Sequence, residues 1–139
     1  MIGAILTVFM HSSVATILMV VTIVSIGALP VNAAMAMVLG ANLGSAIIPV
    51  WLARGMNVEA RRLPMANLII RGSFAVLVLL LISWFVLPVW FFKMGNAQAL
   101  INLHILFNLA LLAALPMCSL LYTSPSPRDA TLSRMPSSA

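Results

Sequence analysis

Acidic residues are almost missing from this chain. Its 139 residues include two, Glu59 and Asp129, and charged residues make up 6% against an apolar share of 63%. A soluble domain carries about 25% charged residues, so the expected class is an all-α, multi-pass membrane protein with the lipid bilayer as its surroundings. No Asp or Glu falls in a long apolar run, so paired-carboxylate acid–base catalysis has no candidates. A nucleophile relay from Ser12 or Ser13 to His11 would lack an orienting acid, and adjacent residues at a helix end do not face each other. The chain is not read as an enzyme. One cysteine, Cys118, rules out an intrachain disulfide and a multi-cysteine metal site. The formal charge is +5, but the basic residues are scattered, without the dense runs that nucleic-acid binding needs. Their expected part is to orient the chain in the bilayer. No cofactor is expected, and the ten methionines are read as packing or lipid-facing residues.

The N-terminus lacks a basic stretch and a convincing cleavage site, so no signal peptide is read. The apolar run begins at once, as it would in a piece of a longer protein. Ile2 to Leu29 is free of charge, too long at about 1.5 Å per residue for one straight crossing of a roughly 30 Å core. His11-Ser12-Ser13 divides it. Ile2–Met10 and Val14–Ile26 then form the arms of a re-entrant hairpin, tolerated only where protein or water surrounds its tip. A single tilted helix is the alternative.

Gly27-Ala28-Leu29-Pro30 closes that unit. Ala33–Leu39 reads as a short helix, interrupted at Gly40-Ala41-Asn42-Leu43-Gly44-Ser45 and resumed over Ala46–Ala53, with Pro49 adding irregularity. Residues 54–71 read as a charged linker, in which Arg54, Arg61, Arg62 and Arg71 outnumber Glu59. The next polar turn holds one cation, Lys93, so the positive-inside rule puts 54–71 in the cytoplasm of a cell inner membrane. Ser73–Phe92 is a membrane helix ending in Trp84, Trp90, Phe91 and Phe92, an aromatic belt. A last helix follows Asn96–Asn102 and runs to about Leu115, closed by Pro116.

Leu120–Asp129 and Ser133–Ala139 look like a translated sequencing-library adapter, with Ala130-Thr131-Leu132 in the place of its variable index. Residues 1–119 are therefore read as the transmembrane repeat and 120–139 as a non-native tail. A Ser/Pro-rich natural tail is the other reading.

Two uncharged polar clusters interrupt the apolar sequence and form the candidate site. Ser12, Ser13 and Thr16 stand near the start of the second hairpin arm, where free N–H groups and a positive dipole suit an oxyanion. Asn42 and Ser45 could give oxygens to a hard cation such as Na⁺, or donors to the anion. Gly40 and Gly44 would let backbone approach ligand. The competing reading is that G-x-x-x-G is a packing face and that the hydroxyls bond their own backbone. His104 and Asn108, four apart, share a helix face and are secondary candidates. Arg71 is read as snorkelling to the interface, with Asn67 as a local partner.

Gly3-Ala4-Ile5-Leu6-Thr7, His11-Ser12-Ser13-Val14-Ala15-Thr16, Leu39–Ser45, Ala60-Arg61-Arg62 with Ala66-Asn67, and His104–Leu109 together resemble the type II sodium–phosphate cotransporter family. The likeness is closest to its bacterial branch, often followed by a phosphate-uptake-regulator-like domain. The resemblance implies two inverted repeats, of which this chain looks like the second, and a missing first repeat as partner. It implies sodium-dependent phosphate symport, with Ser12 and Ser13 contacting phosphate and sodium and Asn42 and Ser45 in the same centre. His11 stands where the family usually has glutamine. A non-transporting scaffold packing through Gly40 and Gly44, and transport of a different oxyanion, remain the alternatives.

Overall fold

The computed structural model describes residues 1–85, 91, 93 and 95–122, with side chains in the last helix described to residue 114. All regular structure among them is helical. The order is α1 (Ile2–Met10), α2 (Ser13–Ser25), α3 (Val31–Leu52), a 3-10 turn (Ala53–Gly55), α4 (Val58–Trp84) and α5 (Asn96–Tyr122). Three stretches are long and apolar enough to cross a membrane: Val31–Gly55, Val58–Trp84 and Asn96–Ala114. The chain divides into two compact units, Met1–Phe107 and Asn108–Ala139.

In the first unit α3 is the post on which α1, α2 and α4 pack. Its Ala34, Val38, Ala41 and Asn42 have no measurable exposure. Against α1 the contact is backbone on backbone. A Cβ on Gly3 would overlap the Met37 carbonyl, one on Gly40 would stand 3.2 Å from Ala4 N, and one on Gly44 2.6 Å from Ala4 O. Small residues at four-residue spacing let two helices approach this closely, and dispersion then replaces the missing side chains.

That contact overturns the expected interruption at Gly40–Ser45, because α3 runs through it unbroken. Its glycines are spent on α1. The polar side chains bond within their own helix, Asn42 Nδ2 donating to Val38 O at 3.0 Å and Ser45 Oγ to Asn42 O at 2.7 Å. They free no backbone group. The same face therefore serves the chain's own packing, which occupies the surface that a Gly40/Gly44 scaffold would use.

The division at His11–Ser12 is present. Met10 ends α1, His11 takes a left-handed conformation (φ 51°), and extended Ser12 (φ −151°) caps α2. At 9 and 13 residues, neither arm spans roughly 30 Å of hydrocarbon at about 1.5 Å per residue.

The charged linker is corrected too. Asn57 accepts from Ala60 N at 2.9 Å, Glu59 sits in the first turn, and α4 begins at Val58 with Pro64 inside it. A cap, an acid at the positive end and the helix-forming Ala60-Arg61-Arg62-Leu63 outweigh one lost hydrogen bond. Likewise α5 continues through Pro116 to Tyr122. Of the aromatic belt, Trp84 is exposed, whereas Trp90 and Phe92 lie outside the described residues. So does the proposed adapter tail from residue 123 onward.

Candidate functional site

The turn between α1 and α2 is tied by hydroxyls. Thr7 and Thr16 are fully buried, and Thr7 Oγ1 donates to Thr16 Oγ1 at 3.0 Å. With its single hydrogen, Thr16 Oγ1 donates to Ser12 O at 3.1 Å, Met10 Sδ at 3.7 Å being the weaker acceptor. Ser12 Oγ accepts from Ala15 N at 3.2 Å, an N-cap that satisfies one otherwise orphaned donor of α2. The Ser12 hydroxyl hydrogen stays available for donation. Ser13, the first residue of α2, is half-buried. His11 is exposed, and its Nδ1 lies 3.2 Å from Phe9 O.

Thr16 is thus a structural clasp more than a ligand contact. Thr7→Val is expected to cost about 1–2 kcal/mol, the penalty for an unsatisfied buried partner. Thr16→Val should cost more, because both Thr7 Oγ1 and the Ser12 carbonyl lose a hydroxyl partner, the carbonyl keeping only its bond from Thr16 N at 3.2 Å. Thermal melting of the two single variants and the double variant in detergent measures the coupling.

A second cluster lies on α3. Asn42 is fully buried and Ser45 half-buried. Besides donating to Asn42 O, Ser45 Oγ accepts from Arg71 Nη1 of α4 at 3.0 Å. The clusters meet through Gly44, whose Cβ position is 2.9 Å from Thr7 Cβ. His104 is half-buried on α5, one turn before Phe107. Phe74 and Phe107 hold α4 and α5 together at a centroid distance of 5.0 Å. Asn108, half-buried further along α5, falls in the second compact unit.

Sequence reasoning underrated two residues. Thr7 follows Gly3 by four, so it shares the glycine's inward face; that spacing was the available signal. Arg71 was placed at a helix entrance because α4 was started at Ser73. Counted from the Asn57 cap, it is central.

The Na+/Pi-cotransporter family model matches residues 1–118. Among curated proteins, the chain is similar to YjbB of Escherichia coli O157:H7, named as an inorganic phosphate export protein, at 27% identity over 84% of this chain and 22% of the relative. The protein of that name from Salmonella typhimurium is 25% identical over 87% of this chain and 22% of its own length. The chain thus spans about a fifth of the length of the curated relatives it matches. No solved structure gives a significant match. With a single family model covering both polar clusters, the whole of α1 to α4 and most of α5, the chain belongs to the Na+/Pi-cotransporter family.

Proposed function

We propose that this chain contributes one half of a sodium-coupled inorganic phosphate transport site in a cell inner membrane, used by alternating access between inverted repeats. One observation carries the reading. The helix break at His11–Ser12 sets the N-terminus of α2, with the hydroxyls of Ser12 and Ser13, in a charge-free apolar stretch packed on α3. A half-helix N-terminus at membrane depth supplies N–H donors and a positive dipole to an oxyanion without a desolvated fixed charge. In this reading α1 and α2 form the re-entrant hairpin, and irregular backbone at its tip is tolerated because α3 covers one side.

A second repeat of the same kind, from the same polypeptide or a second copy, completes the site from the opposite side. Sodium is the coupling ion, held by backbone carbonyls and side-chain oxygens around the turn. The relatives named for phosphate export support phosphate as the cargo. The net direction follows the combined gradients of the two ions. Residues 54–57 face the cytoplasm, with the arginines of early α4.

Radiolabelled phosphate flux in proteoliposomes, with Na⁺ gradients imposed in either direction, tests this. Flux that reverses with the Na⁺ gradient supports symport. Flux indifferent to replacing Na⁺ by K⁺ contradicts the coupling.

A further inference from the structure

The cation of Arg71 has no place in a site built only from hydroxyls and helix ends. It stands at the midpoint of α4 (Val58–Trp84), where a charge in a membrane helix is costly and ordinarily turns to the protein interior or an aqueous cavity. Here it turns inward. The residue is half-buried, with Nη1 on Ser45 Oγ at 3.0 Å. His104 of α5 stands one turn before Phe107, whose ring lies 5.0 Å from that of Phe74, one turn after Arg71. Three helices therefore bring an arginine, a serine and a histidine to one place.

We propose that Arg71, with Ser45 and His104, forms a cationic subsite that binds the oxygen edge of the transported oxyanion, and that Arg71 sets its selectivity. The proposal rests on the reading of this chain as an oxyanion transporter, and it adds a cationic contact to the donors at the start of α2. A guanidinium presents five N–H donors in a planar fork that matches two oxygens of a tetrahedral oxyanion, and Ser45 accepts one of them. When the anion takes that fork, the Ser45 hydroxyl can turn from Asn42 O and donate to it. The same arrangement argues against sodium here. The Ser45 lone pair already faces a positive group, and a second cation beside Arg71 would be repelled. Sodium is left to the oxygens near the α1–α2 turn, on the other side of the Gly44–Thr7 contact.

The test is equilibrium binding of radiolabelled phosphate and sulfate to the purified full chain in lipid nanodiscs, in Na⁺ buffer. Arg71→Gln is expected to weaken phosphate binding by about thirty-fold, as loss of a charge-assisted hydrogen-bonding group implies. Arg71→Lys keeps the charge without the fork, so it should recover part of the affinity and discriminate less between phosphate and sulfate. Helix content by circular dichroism identifies a variant that fails to fold, in which case Arg71→Lys decides. Phosphate affinity and selectivity unchanged in a folded variant would overturn the subsite while leaving phosphate transport standing. Arg71-dependent binding of sulfate without phosphate would support the subsite and overturn phosphate as cargo. A wild-type chain that binds neither anion when assembled with its second repeat overturns both.

Discussion

Replacing Ser12 and Ser13 together by alanine is expected to reduce sodium-driven phosphate flux to below about 1% of wild type, with membrane insertion intact. The two hydroxyls are the side-chain donors at the α2 N-terminus, and each hydrogen bond to a charged group contributes about 1.5–3 kcal/mol, roughly ten- to hundred-fold. Ser12 also caps α2 through Ala15 N, and that loss costs about 1 kcal/mol of helix stability. Ser12→Thr retains both hydroxyl and cap, so it separates the two effects and should keep most of the flux. Ser25→Ala provides the comparison. Its hydroxyl is exposed and bonds only back to Val21 O at 2.8 Å, and its removal should leave flux unchanged. Transport assays in proteoliposomes, with inserted protein quantified in each preparation, read all three.

Gly44→Leu is expected to be strongly destabilising. A Cβ there would stand 2.6 Å from Ala4 O and 2.9 Å from Ala4 Cα, both backbone atoms that cannot rotate aside, and leucine adds three further carbons. Overpacking a tight contact costs about 1–3 kcal/mol and more where backbone must move. Here α1 must move bodily. With it goes the Thr7–Thr16 bond, so the turn at His11–Ser12 loses its clasp. The expected result is a strongly lowered melting temperature and new protease cleavage near the α1–α2 turn. Gly55→Leu should change neither, since nothing lies within 4 Å of a Cβ at that position.

The division into two short helices at His11–Ser12 was legible in the sequence to within a residue or so, because its signals are local. His11-Ser12-Ser13 supplies a cap and a run of poor helix formers between apolar arms, and Gly27 to Pro30 ends the second arm unaided by distant contacts. Gly40–Ser45 was misread for the opposite reason. Glycine, asparagine and serine in one helix fit either a broken backbone or a tight interface, and the arrival of α1 decides between them. That partner lies more than thirty residues earlier in the chain, beyond the reach of any local pattern. The start of α4 was lost to charge. Arg61 and Arg62 read as a loop under a hydropathy criterion, although arginine is a good helix former and Asn57 offers an ordinary cap. Arg71 followed that error, because its meaning depends on where the helix starts. Of the candidate site, Ser12, Ser13 and Thr16 were found together, and Asn42 with Ser45. Thr7 beneath them was open to reading from its spacing to Gly3, whereas the guanidinium beside Ser45 depends on a contact between helices that no local pattern carries.

In the proposed transport site the start of α2 faces a cavity where phosphate binds with sodium. Val14 tests it without removing any proposed ligand, since it is exposed in the first turn of α2. With Cys118→Ser as background, Val14→Cys can be modified by a membrane-impermeant thiol reagent in reconstituted vesicles, and its rate of modification followed. Phosphate is expected to slow the reaction in Na⁺ and to have little effect in K⁺. A rate untouched by phosphate in either salt would contradict it.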